Sequence, residues 1–404
     1  MSNVGSPHPM VDLDWIRLAS GNPSLSVREC LDRQDTVGPN ILFDVEYYRR
    51  QYGRDIPAHM SALEHFCRQD ETCLRNPNAL FSTQQWLEVF RALTPDSSRW
   101  REELVRVLGR EAAFSRNEYL RDQNDEIILS DTFVGKAPAQ GDDICLFVHY
   151  DRHDQIQPYV IDYLKALKAS GVSIIFLSNT KEFAEKEIDK VRNIVWRVVC
   201  TDNKAYDWGL FRQGMKLLEG QYERNPILID NDSVTYLGRG LDEMLAQCRA
   251  HPERVTGAIS VKPHIWRMQS FFLYCGKEVV VSRPWKEFGN KIRAPDESWF
   301  VINANEFGFF RWMADQDVPM HAIWNYDDLI SGENRNRANE WRDGVFEKKF
   351  LVNPTMDLWD ILLEHGFPFL KNSILKESIT AGNLDHLCNV ISALSRGGLQ
   401  QGVI

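Results

Sequence analysis

Between residues 144 and 229, apolar runs alternate with amphipathic stretches at a steady spacing. Residues 144–150 (Ile-Cys-Leu-Phe-Val-His-Tyr) form a continuous apolar run suited to a strand buried on both faces. Residues 158–168 repeat Val160, Leu164 and Leu167 at helical spacing, and Gly171 stops that helix. The pattern then predicts a strand over 172–178, a charged helix over 181–190, a strand over 194–199, a helix over 208–218 and a fourth strand over 227–229. Strands joined by helices at this spacing imply right-handed crossovers and a parallel sheet whose ligand crevice lies at the strands' C-terminal ends. Each predicted strand runs into polar residues: His149-Tyr150-Asp151, Ser178-Asn179, Asp202-Asn203 and Asp230-Asn231-Asp232.

The last of these ends concentrates hard oxygen donors. Asp230 and Asp232, two apart at a strand tip, suit one divalent cation that bridges to nucleotide phosphates. The competing reading is a polar turn, because Asp, Asn and Ser bond their own backbone. Further on, residues 257–261 and 279–281 are short strand candidates. The interval 262–293 carries seven Lys or Arg against two Glu, an excess suited to a diphosphate or equally to solvated loops. Lys262, His264 and Arg267 lie nearest the acidic cluster in sequence. Asn303-Ala304-Asn305-Glu306 is expected to open a helix, with Glu306 either a general base in its first turn or the acidic half of a capping box. Residues 331–349 are polar, as a lid or a plain surface loop is, and a helix is expected around 359–363.

Residues 1–140 read as a mostly helical region. Its landmarks are Phe43-Asp44-Val45-Glu46-Tyr47-Tyr48, Ala62-Leu63-Glu64-His65-Phe66 and Asn76-Pro77-Asn78-Ala79-Leu80-Phe81. Aromatic helices around a small core account for Tyr47, Tyr48, His65 and Phe66. A Gly/Pro/Asp linker over 135–143 sets the expected boundary near 140. The 404 residues have length for two domains, and a net charge of −10 argues against a general nucleic-acid binder. Eight scattered cysteines without a Cys-x-x-Cys pair suggest neither a zinc site nor a disulfide framework. With no leader-like N-terminus and no span-length apolar run, the expected location is the cytoplasm.

Taken in order, Phe147-Val148-His149-Tyr150-Asp151, Leu177-Ser178-Asn179, residues 202–209, Asn231-Asp232-Ser233, Gln269-Ser270-Phe271-Phe272, Glu306 and Gly366-Phe367-Pro368-Phe369-Leu370-Lys371 resemble the rhamnan synthesis protein F family of bacterial glycosyltransferases over about 144–376. The landmarks before residue 140 resemble an accessory module that accompanies such enzymes. The resemblance implies an α/β fold of GT-A (Rossmann-like) type, with a mixed, mainly parallel sheet over 141–330. A helical accessory domain over 1–140 precedes it, and a lid loop with C-terminal helices over 331–404 follows. It implies a nucleotide-sugar donor, commonly dTDP-L-rhamnose, and a role in building a surface polysaccharide such as O-antigen. By the same analogy His149, Asp151, Asn179, Asn203, Asp207, Asn231, Lys262, His264, Arg267 and Gln269 would serve the donor, and Asp230 with Asp232 the diphosphate and a Mg²⁺ or Mn²⁺ ion.

The function expected is thus an inverting, metal-assisted transfer of a sugar to a hydroxyl of a growing, lipid-linked glycan, with surface contact at the membrane, Glu306 as base and Asp232 at the diphosphate. Two rivals follow from the same residues. One is an inactive nucleotide-sugar-binding or scaffold subunit of an assembly complex. The other is a phosphohydrolase, which the absence of an Asp-x-Asp pair directly after the first strand disfavours.

Overall fold

The computed structural model describes residues 8–124, 126–202, 206–261, 266–332 and 353–380. The chain divides into two compact units: residues 1–127 with 203–212 and 287–315, and residues 128–202 with 213–286 and 316–404. The boundary falls at 127/128, not near 140, because residues after 127 already belong to the sheet of the second unit.

The first unit is helical. Ser26 and Glu29 cap the helix Val27–Val37 reciprocally, and Asp44 accepts from the Tyr47 N–H to start the helix Val45–Tyr52. That cap orients Tyr48, which is fully buried, packs against Phe43 and Phe66, and places its hydroxyl 3.0 Å from His65 Nδ1. The expected aromatic core is therefore present, with His65 inside it. The amide of Asn78 ties Leu42, Leu80 and Phe81 together through their backbones.

The second unit is built on a mixed sheet. Its strands, in chain order, are β1 (Ile128–Phe133), β2 (Ile144–His149), β3 (Ser173–Ser178), β4 (Arg197–Thr201), β5 (Ile227–Asn231), β6 (Val234–Tyr236), β7 (Val255–Val261), β8 (Arg267–Met268), β9 (Phe272–Cys275), β10 (Met320–Trp324) and β11 (Phe369–Lys371). Nine of them form the large sheet in the order β1-β4-β3-β2-β5-β9-β7-β10, with β8 beside β7; β6 and β11 make a two-stranded ribbon. The pairs β2/β3, β3/β4, β2/β5 and β7/β10 are parallel, whereas β9 runs against both β5 and β7. The expected mixed, mainly parallel sheet flanked by helices is thus present, an arrangement compatible with a Rossmann-like fold.

Every residue of β2 is buried. Each large apolar side chain so buried contributes roughly 1.5–3 kcal/mol relative to exposure. Pro158 opens the helix Pro158–Ala169, whose Val160, Tyr163, Leu164 and Leu167 pack into the same core as Phe147 and Phe176. Gly171, at φ +82°, ends the connection in the left-handed region that glycine adopts without strain. Gly214 lets its helix approach closely, since a Cβ there would stand 2.8 Å from Leu146 Cδ2.

Three expectations are corrected. The strand β1 was missed because its alternate residues face solvent and only its pairing with β4 holds it. Residues 279–281 are not a strand: Lys277–Val280 is a short helix. The helix expected to open at Asn303 starts at Ser298, where the Glu297 carboxylate accepts from the Trp299 and Phe300 N–H groups. No described helix is long and apolar enough to cross a membrane.

Candidate functional site

In the second unit, β2 leads to β3 and β4 on one side and has β5 on the other, so the direction of strand order reverses between β2 and β5. Open α/β sheets form a crevice at such a switch, outside the carboxyl ends of the strands. Asp232, just past β5, stands there. Its N–H donates to the Val148 carbonyl (3.2 Å), and its Oδ2 accepts from the Tyr150 N–H (3.0 Å) across the gap between the two strand ends. Its carbonyl accepts from Asn372 Nδ2 (2.7 Å) and from the Tyr159 hydroxyl (3.4 Å). The position is fixed from three directions, and Tyr150 beside it is 64% exposed.

His149, the last residue of β2, has no exposed surface. Its Nδ1 lies 3.1 Å from Ser178 Oγ at the end of β3, and its Nε2 lies 3.9 Å from Asp232 Oδ2. Burial pushes its pKa down to about 4, with Asp151 and the Gln155 backbone pulling weakly the other way. The imidazole is therefore neutral at neutral pH. Three polar atoms at these strand ends have no hydrogen-bond partner: His149 Nε2, Asn179 Oδ1 and Thr180 Oγ1. Buried polar atoms are paired in the great majority of cases, so an unpaired group of them marks a place a ligand or ordered water completes.

Asp230 does not belong to this edge. The strand continues two residues beyond the apolar run, so Asp230 sits inside the sheet, opposite Phe147 on one side and Phe272 on the other. It is fully buried, the Tyr163 hydroxyl donates to its Oδ2 (2.5 Å) and the Asn231 N–H to its Oδ1 (2.8 Å). Burial raises its pKa well above the usual carboxylate range, and the charge of Asp232 adds to that. The expected Asp230–Asp232 metal pair is thereby corrected, because Asp230 is enclosed in the sheet with both carboxylate oxygens already bonded inside it. Among the described residues no group of three or more His, Cys, Asp or Glu is arranged to hold a metal.

Asn231 is a turn-builder: its Oδ1 accepts from the Ser233 N–H (3.1 Å) and hydroxyl (2.6 Å). Asp151 is likewise engaged locally, accepting from the His153 and Gln155 N–H groups and from Gln157 Nε2. Burial would raise its pKa, but these bonds outweigh it and hold the carboxyl below its usual value. Gln269 is buried and bonds Asn353 and Thr355, which makes it a tie between segments. Arg267 lies in β8, half-buried. Asp207 and Glu306 belong to the first unit. Glu306 ends a π-helical turn, Ile302–Glu306, inside a continuous helix, so neither a first-turn carboxylate nor a capping box describes it. Asn303 instead bonds the Ser82 backbone through both ends of its amide. Asn203, Lys262 and His264 lie outside the described residues, as do residues 333–349 of the expected lid over 331–349.

Sequence reasoning missed Thr180, Tyr163 and the roles of Lys371 and Asn372. Lys371 Nζ donates to Ser233 Oγ (2.9 Å) and lies 5.1 Å from the Phe271 ring centroid, so a cation stands beside the switch point. Its signal was present in the Gly366–Lys371 motif, but only the pairing of β11 with β6 reveals where it goes. No family model matches the chain, and no curated protein matches it either.

Proposed function

We propose that the second unit binds a nucleotide sugar at the switch point between β2 and β5 and transfers its sugar to a hydroxyl acceptor. The observation that carries this reading is Asp232, an oriented carboxylate held between the ends of β2 and β5 and flanked by unpaired His149, Asn179 and Thr180 atoms. In this reading the unpaired atoms at the ends of β2 and β3 take the nucleoside, whose base and ribose supply both donors and acceptors. Lys371 steadies the diphosphate as charge develops on it. The acceptor oxygen bonds the anomeric carbon as that carbon's bond to the diphosphate breaks, the hydroxyl proton passes to water or to the departing diphosphate, and Asp232 orients the donor for this displacement. A GT-A fold, an L-rhamnose donor, a lipid-linked glycan acceptor and work at the inner membrane face extend the proposal through the family resemblance.

A second reading, binding without turnover, is favoured by the burial of Asp230, which removes one carboxylate from the expected metal pair. Nucleoside diphosphate release from a panel of nucleotide sugars, with candidate glycan acceptors and with Mg²⁺, Mn²⁺ or chelator, separates the two. Release from one donor, lost in Asp232→Asn with the fold retained, supports transfer. A donor that binds at the same site and is never cleaved supports the binding subunit and ends the catalytic reading.

A further inference from the structure

The first unit holds a cavity of about 300 Å³, near the lower end of the roughly 300–1,000 Å³ span of small-ligand pockets. Its walls come from five separate stretches of that unit, including Trp15, Asp44, Lys291, Arg293 and Asn305. Three buried polar atoms among these residues have no partner: Trp15 Nε1, Arg293 Nε and Asn305 Oδ1. Asn305 is only 1% exposed, and its other amide atom is already committed to the Arg293 carbonyl (2.9 Å). Arg293 likewise uses its Nη1 on the Asn290 and Ile292 carbonyls, leaving Nε. Asn305 lies in the π-helical turn, a distortion that often accompanies a site because it rotates side chains out of helical register.

The unmet needs are mixed: two donors want an acceptor and one acceptor wants a donor. A hydroxyl supplies both, whereas a fully ionised anion supplies none for Asn305. Charge points the same way. Lys291 and Arg293 are offset in the lining by Asp44 and Glu46, with Lys291 Nζ 3.3 Å from Asp44 Oδ2. The indole of Trp15 adds an apolar wall of the kind that packs against the C–H face of a ring. We propose that this cavity is a binding site for one neutral, polyhydroxylated ring, a saccharide unit, separate from the nucleotide-sugar site of the second unit. It rests on the first unit alone and stands whether or not the transferase reading does.

The test is calorimetric titration of the full chain with methyl glycosides of hexoses, deoxyhexoses and N-acetylhexosamines, and with inorganic phosphate. At least one glycoside is expected to bind in the millimolar range or tighter, undisturbed by phosphate. Trp15→Phe, which keeps an aromatic face and removes the N–H, and Arg293→Lys, which keeps the charge and removes the guanidinium with its Nε, are each expected to weaken it about tenfold. Asp232→Asn is expected to leave it unchanged. Circular dichroism checks that each variant is folded. The proposal is overturned if no glycoside binds, which leaves a hydrated cavity only. It is equally overturned if phosphate displaces the glycoside, if the folded Trp15 and Arg293 variants bind like the wild type, or if Asp232→Asn abolishes binding.

Discussion

The two ends of the parallel strands in the second unit treat their polar groups differently. At the N-terminal end, Asp143 is buried with both oxygens bonded, one to the Tyr274 hydroxyl (2.8 Å) and the other to Arg249 Nε (2.6 Å). Asn225 there donates to the Ala139 and Asp142 carbonyls, and only its amide oxygen lacks a partner. At the C-terminal end, His149, Asn179 and Thr180 each leave an atom unpaired beside an oriented Asp232. One end is closed by its own side chains, and the other leaves a group of polar atoms for something else to satisfy. Unpaired polar groups cost stability, so retaining several at one edge is the mark of a site rather than of a brace.

The contrast is broken most sharply by Asp232→Asn. Diphosphate release is expected to fall about 100-fold or more, while the unfolding free energy changes by less than about 1 kcal/mol, because the amide oxygen still accepts from Tyr150. Equal loss of stability and turnover would make Asp232 a brace like Asp143.

Acid exposes the C-terminal end next. The folded pKa of His149, about 4, lies below its ordinary 6.5, so between those values the unfolded chain takes a proton that the folded one refuses. Stability is full above about pH 6.5 and falls as pH drops toward 4, by roughly 3 kcal/mol. Urea unfolding across that range is expected to show this loss and to show it blunted in His149→Asn; an identical pH profile in the variant would refute it.

At the closed end, Asp143→Ala strands a buried Tyr274 hydroxyl and unpairs Arg249, whose side chain is 40% exposed and so is partly rescued by water. The expected loss is about 2 kcal/mol in chemical denaturation, with turnover per folded molecule unchanged. A selective loss of turnover would erase the distinction between the ends.

Asp230→Asn gives the smallest and most diagnostic effect. The folded pKa of Asp230 is raised above its ordinary 3.8, so wild-type stability from this group is full below that value and falls as pH rises. Relative to wild type, the variant is expected to gain stability as pH rises above the ordinary carboxylate value, measured by urea unfolding at successive pH values. Loss of metal-stimulated donor release in this variant would instead return Asp230 to a metal role.

The alternation of apolar runs and amphipathic stretches was enough to specify β2 to β5 and their helices. Period and burial are local consequences of residue order, and Pro158 and Gly171 punctuate them as their backbones require. His149, Asn179 and Asp232 were legible as strand-end residues for the same reason. What the residues could not state was depth and neighbourhood. Asp230 and Asp232 look equivalent two apart, yet two further residues of strand pairing bury the first and leave the second at the switch point. Asn303 and Glu306 spell a capping box, but a helix already running from Ser298 removes the unbonded N–H groups that such a box serves. Lys371 arrives beside Ser233, and Trp15 shares a cavity with Asn305, only because pairing and packing bring together segments far apart in the chain. Local pattern fixes which element a residue joins; its partners, and hence its protonation and its chemistry, depend on long-range contacts that sequence spacing does not encode.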